Sequence, residues 1–303
     1  MPINPAFAPL LPFVAMVPVL TAQQSAPQAA ETDVIAIRTD SHDRMTVPVR
    51  ISEQGPFRFM IDTGSQNTVI STSLASRLSL EPRNRARLVG VAGFMDVDTV
   101  AIEQIDLGRR SYYSVRAPTL ARDDIGADGI LGLDSLQGQR VLIDFRKGVI
   151  MVNDARALGG NQGFDLVVTA RRKSGQLIMA DAKIDGVRVN VVIDTGAEYS
   201  IGNRALQDAL RNRSPQGQAV LKSVTGQEIT ADLALAKSLV IDDINFSNVI
   251  VAYADAPPFA ILGLSEKPAL FLGMRDMRSL DRIAIDFSTR RIYFDVPNRA
   301  FDN

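Results

Sequence analysis

Two stretches of the chain carry nearly the same seven residues. Residues 59–65 read FMIDTGS and residues 191–197 read VVIDTGA, 132 positions further along. A single Asp-Thr-Gly is weak information, because Asp and Gly are favoured in any turn that follows a strand. In both copies an apolar run precedes the aspartate, which predicts that each aspartate ends a buried strand. Two such copies in one chain indicate an internal duplication.

Other short motifs repeat in the same order along the two halves. The pairs are VAG at 91–93 with VTG at 224–226, ILG at 130–132 with FLG at 271–273, and LIDF at 142–145 with AIDF at 284–287. An alternative partner for the second motif is ILG at 261–263. We prefer Gly273, which lies 13 residues before Asp286, because 12 residues separate Gly132 from Asp144. The repeat predicts two similar lobes of about 130 residues each.

The periodicity around these motifs is mostly that of β-strands. Short β-branched or alternating runs are separated by turns rich in Gly and Asp. Helical patterns are short, and the best of them cover residues 204–210 and 74–78. We therefore predict a mostly all-β fold of two β-rich lobes related by a pseudo-two-fold axis, with short helices. The expected divisions are a signal-like or anchor segment with a linker at 1–32, an N-terminal lobe at 33–158 and a C-terminal lobe at 159–303.

Composition limits the available chemistry. The chain has 303 residues, a formal net charge of −1, no cysteine and one histidine, His42. A nearly neutral chain has no overall field that would hold nucleic acid. The lack of cysteine excludes a thiol nucleophile and a disulfide, and one histidine cannot form a two-histidine zinc site. We interpret His42 as an exposed loop residue and expect no metal and no cofactor, which leaves hydrolytic chemistry to carboxylates, lysines or tyrosines.

The amino-terminal segment has the character of a targeting sequence. Residues 6–20 are almost all apolar, and residues 21–30 are small or polar, as in a secretory signal. A run of 15 apolar residues is short for a membrane span. No Lys or Arg precedes it and no clear cleavage site follows. We expect export to a bacterial periplasm, with the segment either removed or kept as an N-terminal membrane anchor; the alternative is a cytoplasmic tail.

The two aspartates, Asp62 and Asp194, predict one shared catalytic site. A carboxylate at the end of a buried strand is costly unless it is paired or hydrogen-bonded. One such residue in each lobe suggests that both meet on the pseudo-two-fold axis. Two carboxylates about 3 Å apart cannot both ionise easily and share one proton. Such a pair supplies a general base and a general acid from one residue type, without histidine, cysteine or metal.

With these motifs the chain resembles the aspartic peptidases that include retroviral proteases and pepsins, and most closely the retropepsin-like bacterial proteins with a duplicated catalytic unit. The shared pattern of apolar-apolar-Asp-Thr-Gly, a glycine-containing flap and apolar-apolar-Gly covers residues 33–297. The resemblance implies an aspartic endopeptidase, monomeric because one chain supplies both lobes. It also implies a polypeptide substrate bound as an extended strand beneath β-hairpin flaps.

The resemblance also assigns roles to individual residues. Asp62 and Asp194 would hold the attacking water. The active-site loops would be supported by Thr63, Gly64, Ser65, Thr195, Gly196 and Ala197. The two threonines would bond across the lobes, the glycines would allow close approach, and the Ser65 hydroxyl would bond the outer oxygen of Asp62. The flaps would contain Val91, Ala92, Gly93, Phe94, Val224, Thr225, Gly226 and Gln227. The segments that brace the loops from behind would contain Leu131, Gly132, Leu272 and Gly273.

Two departures from the family pattern and two alternative functions remain open from the sequence. Ala197 stands where the first copy has Ser65, so the two carboxylates need not be equivalent. No tyrosine occupies the pepsin-type flap position, although Phe94 is nearby. The alternative functions are a non-catalytic peptide-binding protein on the same fold and a structural β-protein. Asp144 and Asp286 also repeat, and we interpret them as strand-end carboxylates paired with Arg146 or Arg290.

Overall fold

A computed structural model describes residues 34–36, 38–39, 45–153, 158, 163–210 and 216–297. These residues all belong to one compact unit, Glu31–Asn303. The signal-like segment at 1–32 and the histidine His42 lie outside the described residues, so export, membrane anchoring and the loop position of His42 stay predictions. Within the described part of the chain, no helix is long and apolar enough to cross a membrane.

Strands dominate both lobes, and the helices between them are short. The first-lobe elements are β1 Val34–Ala36, β2 Arg38–Thr39, β3 Met45–Ile51, β4 Gln54–Ile61, β5 Val69–Ser71, α1 Thr72–Arg77, β6 Pro82–Gly90, β7 Gly93–Leu107, β8 Arg110–Leu120, α2 Arg122–Ile125, β9 Gly129–Leu131, α3 Leu133–Leu136, β10 Arg140–Asp144 and β11 Val149–Asn153. The second-lobe elements are β12 Leu166–Thr169, β13 Arg171–Lys173, β14 Gln176–Ile184, β15 Val187–Ile193, β16 Ser200–Gly202, α4 Arg204–Ala209, β17 Gly217–Lys222, β18 Glu228–Ile241, β19 Ile244–Tyr253, α5 Pro257–Ile261, β20 Ala269–Leu272, α6 Met274–Met277, β21 Arg282–Asp286 and β22 Arg291–Asp295.

The two lobes repeat one sheet topology. The first eight-stranded sheet has the order β2-β3-β4-β9-β5-β8-β7-β6, and the second has the order β13-β14-β15-β20-β16-β19-β18-β17. These orders are the same once each strand is matched to its repeat. In each sheet the strand before the Asp-Thr-Gly pairs in parallel with the short strand before a glycine, β4 with β9 and β15 with β20. The predicted duplicated, mostly β fold is confirmed.

A third sheet joins the lobes. Its order is β1-β11-β10-β21-β22-β12, and its central pair, β10 with β21, brings together one strand from each lobe. The buried isoleucines Ile143 and Ile283 face each other across this pair and belong to the main core cluster. Because that core contains residues of both lobes, the lobes are packed as one body around the pseudo-axis.

Alternate side chains of β4 pack into two different apolar clusters, one on each face of the sheet. Phe59 and Ile61 enter the main core, whereas Met60 joins a second cluster with Val69 and Ile130. Neighbouring residues of a strand point to opposite faces, which is why the run FMI supplies both layers. The strand that leads to Asp62 is therefore buried on both faces, as its uninterrupted apolar sequence predicts.

Two helices near the motifs begin at side-chain caps. Ser71 accepts a hydrogen bond from the Leu74 N–H at 3.2 Å, and Asn203 accepts one from the Leu206 N–H at 2.9 Å. Ser and Asn are favoured before a helix because they satisfy its unpaired N–H groups. The helices that follow, α1 and α4, lie where the sequence predicted helices at 74–78 and 204–210. Helix α1 begins before the predicted first residue.

The predicted pairing of Asp286 is wrong. Its partner is Arg140, at 2.9 Å, with side-chain exposures of 0% and 1%. The two residues lie opposite each other on β10 and β21. Arg146 instead pairs with Asp281 at 2.9 Å, and Asp144 lies 3.8 Å from Lys147. The correct partner lies on a strand of the other lobe, so a search for nearby arginines in the sequence could not find it.

Candidate active site

Both aspartates of the repeated motif stand where a buried strand ends. The Asp62 N–H donates to the Leu131 carbonyl at 3.1 Å, and the Asp194 N–H donates to the Leu272 carbonyl at 3.0 Å. These bonds extend the parallel pairing by one residue and hold each aspartate at the edge of its sheet. Each aspartate is 9% exposed. The carboxylates are thus largely removed from water, which makes their charge state depend on the groups around them.

The two loops are tied to each other through their threonines. The Thr63 N–H donates to the Thr195 hydroxyl at 3.0 Å, and the Thr63 hydroxyl donates to the Ile193 carbonyl at 2.8 Å. Thr195 does the same in reverse, with its N–H 3.2 Å from the Thr63 hydroxyl and its hydroxyl 2.8 Å from the Ile61 carbonyl. This reciprocal arrangement fixes the two loops across the pseudo-axis.

Each glycine of the motif lies against the carboxylate of the other lobe. A Cβ atom added to Gly64 would stand 2.7 Å from Asp194 Oδ1, and one added to Gly196 would stand 2.4 Å from Asp62 Cγ. Real Cβ atoms do not approach other atoms so closely, so both positions require glycine. Since each glycine follows its own aspartate by two residues, this contact brings the two carboxyl groups face to face.

Backbone N–H groups stabilise negative charge on both aspartates. The N–H groups of Gly64 and Ser65 donate to Asp62 Oδ1 at 2.8 and 3.0 Å. The Gly196 N–H donates to Asp194 Oδ1 at 3.0 Å. Ala197 contributes a further backbone hydrogen bond to Asp194. The alanine in place of serine therefore keeps the backbone donor that this position supplies.

The expected bond from the Ser65 hydroxyl to Asp62 is not formed. The Ser65 Oγ donates to the Asn67 carbonyl at 2.9 Å, which uses its single proton. Ser65 reaches Asp62 through its backbone N–H instead. The turn geometry, and not the side chain, supplies the donor, which is why Ser65 and Ala197 can occupy equivalent positions.

The two carboxyl groups influence each other's protonation. Burial, followed by the negative charge of Asp62, raises the pKa of Asp194 to about 8. A side-chain hydrogen bond between Asp194 and Asp62 raises it further, while the backbone donors at Gly196 and Ala197 act in the opposite direction. The value belongs to the pair as a unit, because the two groups titrate together. The raised pKa favours the protonated form of Asp194 next to the negative charge of Asp62.

Glycines behind the loops occupy equivalent positions in the two lobes. A Cβ at Gly132 would lie 2.4 Å from the Asn67 carbonyl carbon, and one at Gly273 would lie 2.5 Å from that of Tyr199. Leu131 and Leu272, which precede them, are fully buried. Gly263 instead follows α5 and lies near the Lys173 ammonium group. Gly273 is therefore the structural counterpart of Gly132, as its spacing indicated.

A hydroxyl–carboxylate pair behind each loop was missed in the sequence. Thr68 donates its hydroxyl to Asp134 at 2.7 Å and accepts from the Gly132 N–H at 3.2 Å. Ser200 donates to Asp276 at 2.5 Å and accepts from the Gly273 N–H at 3.1 Å. The available signal was a hydroxyl residue six positions after the aspartate of each Asp-Thr-Gly, with an acidic residue two or three positions after each of Gly132 and Gly273.

The predicted flap residues lie at the tips of two long hairpins. Residues 91–92 connect β6 to β7, and residues 223–227 connect β17 to β18. Val91 packs against a cluster of the second lobe that includes Phe259, and Val224 packs against the cluster of the first lobe that contains Met60. Each tip thus reaches across to the opposite lobe.

The two tips also touch each other. Gln227 Nε2 donates to the Phe94 carbonyl at 3.3 Å, and the Ser223 hydroxyl lies directly against Gly90. Phe94 itself is 54% exposed. Because Val91 and Val224 also pack on the opposite lobes, these contacts hold the two hairpins in a closed arrangement between the lobes.

An ion pair fastens the second hairpin to the first lobe. Lys222 Nζ lies 2.8 Å from Asp124 Oδ1, and the side chains are 52% and 22% exposed. A partly exposed pair contributes at most about 1 kcal/mol, and salt weakens it. We expect Lys222→Met to speed amide hydrogen exchange in residues 217–227 up to about fivefold. The wild-type rate should rise towards the variant's as salt is added.

The control for this test is Lys237→Met, which removes an exposed lysine from β18 of the same hairpin. Its exchange rates should equal those of the wild type at every salt concentration. Equal exchange in Lys222→Met and wild type at low salt would show that the ion pair does not hold the hairpin.

Within the described ranges, no group of three or more His, Asp or Glu side chains is arranged to hold a metal ion. The aspartyl protease family model matches the chain twice, over residues 47–135 and 180–275. Each match contains one Asp-Thr-Gly loop and the glycine that braces it, and together they cover more than half of the chain. Among curated proteins, none matches the chain significantly. The duplicated loops, the facing carboxyl groups and the two family matches together assign the chain to the aspartyl protease family.

Proposed function

We propose that the protein is an endopeptidase that hydrolyses peptide bonds with a water molecule activated between Asp62 and Asp194. The observation that carries this proposal is the pair of buried carboxyl groups, which are hydrogen-bonded to each other, with the pKa of Asp194 raised by burial and by the charge of Asp62. A protein that only binds peptides has no need for such a pair. Burial and mutual repulsion make a pair of carboxyl groups costly, and ionisable groups whose pKa values are shifted in this way cluster at functional sites.

The reaction follows from the charge state of the pair. The ionised carboxylate takes a proton from the water as the water oxygen attacks the peptide carbonyl carbon. The protonated carboxyl donates its proton to the carbonyl oxygen, which gives a neutral tetrahedral diol. The carboxyl group that took the water proton then gives a proton to the peptide nitrogen, and the carbon–nitrogen bond breaks. A hydroxyl of the diol returns its proton to the other carboxylate, which releases an amine and a carboxylic acid. The dyad ends with the single proton with which it began.

The substrate enters this scheme as an extended strand between the dyad and the hairpin tips. An extended chain can pair its backbone with strand edges while alternate side chains enter pockets. The apolar clusters around Met60 and Phe259, which the flap tips cover, provide walls for such side chains. The hairpins must open to admit a polypeptide. One chain supplies both carboxylates, so the proposed active species is the monomer.

Digestion of a mixed peptide library by the full-length protein tests the proposal. We expect internal cleavage, detected as new amino and carboxyl termini by mass spectrometry, and loss of cleavage with a transition-state inhibitor of aspartic peptidases. Peptides that are retained on the protein but stay uncut, whether or not the inhibitor is present, would instead identify a non-catalytic peptide-binding protein.

The pH dependence of cleavage gives a second test. The reaction needs the proton that the pair holds, and the pKa of Asp194 is raised to about 8. Above that pH the proton is lost and the general acid disappears. We expect kcat to be sustained from weakly acidic to neutral pH and to fall as pH rises through about 8. A rate that stays constant well above this pH, with the fold intact, would contradict the shared-proton assignment.

A further inference from the structure

A glutamine of the second lobe is bonded to the catalytic loop of the first. Gln176 is the first residue of β14 and is only 4% exposed. Its Nε2 donates to the carbonyl oxygen of Gly64 at 2.5 Å. The two residues are 112 positions apart, and Gln176 belongs to none of the repeated motifs of the sequence. This contact lies outside the reciprocal threonine bonds and links the lobes at a different point.

The contact acts on Asp62 through a single peptide group. The Gly64 carbonyl and the Ser65 N–H belong to one planar unit, so fixing one end orients the other. The Ser65 N–H donates to Asp62 Oδ1 at 3.0 Å. A hydrogen bond accepted by the carbonyl polarises the peptide and makes its N–H a stronger donor. Gln176 therefore both aims and strengthens a bond to one carboxylate of the dyad.

The amide group of Gln176 can serve this role in one orientation only. With the amide reversed, its Oε1 would face the Gly64 carbonyl oxygen, and two acceptors would repel each other. In the observed orientation the Oε1 is buried without a hydrogen-bond partner among the described residues. Leaving a buried acceptor unpaired destabilises the fold. An apolar side chain would avoid that cost, so the donor function is what a glutamine adds here.

We propose that Gln176 is a positioning residue that, through the Gly64–Ser65 peptide group, makes Asp62 the ionised member of the dyad and hence its general base. The inference rests on the proposed peptidase function for its kinetic meaning. The raised pKa of Asp194 agrees with it, since the shared proton then resides on Asp194.

The charged side chains near the two loops do not by themselves decide which aspartate is ionised, so local hydrogen bonds decide it. Asp194 faces Asp62 directly, while Asp134 and Asp276 lie behind the two loops, bonded to Thr68 and Ser200. Arg172, on the strand before Gln176, bonds to Gln137. A hydrogen bond that stabilises the charged form of a carboxylate lowers its pKa. Removing the Gln176 donor should therefore raise the pKa of Asp62.

Kinetics of Gln176→Met test the proposal, because methionine has a similar length and no donor. We expect kcat to fall about fivefold, the equivalent of one hydrogen bond of about 1 kcal/mol. KM should be unchanged, and the acidic limb of the pH–rate profile should move to higher pH by about half a unit or more. The matched control is Gln207→Met, because the Gln207 amide donates to Asp232 on β18. Its profile should equal that of the wild type. A lower kcat with an unmoved acidic limb would overturn the proposal and leave Gln176 a structural role.

A second measurement does not depend on catalysis. In an Asp194→Asn background Asp62 is the one titrating member of the dyad, and its pKa can be read by NMR of ¹³C-labelled aspartate. Adding Gln176→Met or Gln176→Leu, which remove the donor without adding a charge, should raise that pKa, and Gln207→Met should leave it unchanged. If the protein cleaves no peptide but this shift occurs, the endopeptidase function fails while the positioning role of Gln176 stands. No shift in either Gln176 variant overturns the role itself.

Discussion

Replacing either Asp62 or Asp194 by asparagine will reduce peptide cleavage by about a thousandfold or more, while the protein stays folded. Each change removes one half of the acid–base pair, and general acid–base catalysis contributes roughly 10²–10⁴-fold. The amide has nearly the shape of the carboxyl group, so the reciprocal threonine bonds of the loops are retained. The measurement is kcat/KM for a peptide that the wild-type protein cleaves.

The control for both variants is Asp208→Asn, an exposed carboxylate on α4. It should cleave at the wild-type rate. If Asp62→Asn or Asp194→Asn also cleaves at the wild-type rate, the dyad assignment is wrong.

Asp194→Asn should also change how stability depends on pH. The pKa of Asp194 in the folded chain, about 8, is raised above its ordinary value of 3.8. The folded chain therefore binds a proton that the unfolded chain has lost across this interval. Its contribution to stability is complete below the unfolded pKa and is lost as pH rises towards the folded one. The variant removes this dependence, so its urea midpoint should vary less between weakly acidic and alkaline pH than that of the wild type.

Breaking the buried ion pair between the lobes will have the largest effect on stability. Arg140 and Asp286 are almost fully buried, 2.9 Å apart, and the Arg140 guanidinium lies 4.1 Å from the Tyr293 ring centre. Burial alone would raise the pKa of Asp286, but hydrogen bonds from Ser288, Thr289 and Arg140 outweigh it and hold the pKa below its ordinary value. Asp286 is thus charged and depends on its partner.

We expect Arg140→Met to lower the free energy of unfolding by about 3–5 kcal/mol, because it leaves a buried carboxylate without its counter-charge. The double variant Arg140→Met/Asp286→Leu should recover most of this loss, since it removes both charges. Urea unfolding curves supply the values. The matched control is Arg146→Met, which breaks a pair whose arginine is 71% exposed and should cost less than about 1 kcal/mol. Equal effects of the two single substitutions would show that burial does not set the strength of the Arg140 pair.

The same ion pair shows where reading the sequence fails. The repeat of LIDF and AIDF made Asp144 and Asp286 visible as equivalent positions, yet their partners differ in the structure. Arg140 and Asp286 are 146 positions apart and meet because β10 and β21 pair across the lobe boundary. The choice of partner depends on strand register, which no local pattern encodes.

The Asp-Thr-Gly repeat by itself determined the duplication and the strand that leads to each aspartate. These features follow from local chemistry, because an uninterrupted apolar run buries a strand. The tertiary structure alone decided that the backbone of Ser65, and not its hydroxyl, bonds Asp62, that each flap tip packs on the opposite lobe, and that Gln176 reaches Gly64. Those contacts join residues from different lobes or depend on the exact turn of a loop, so their energies exist only once the chain has closed around its pseudo-axis.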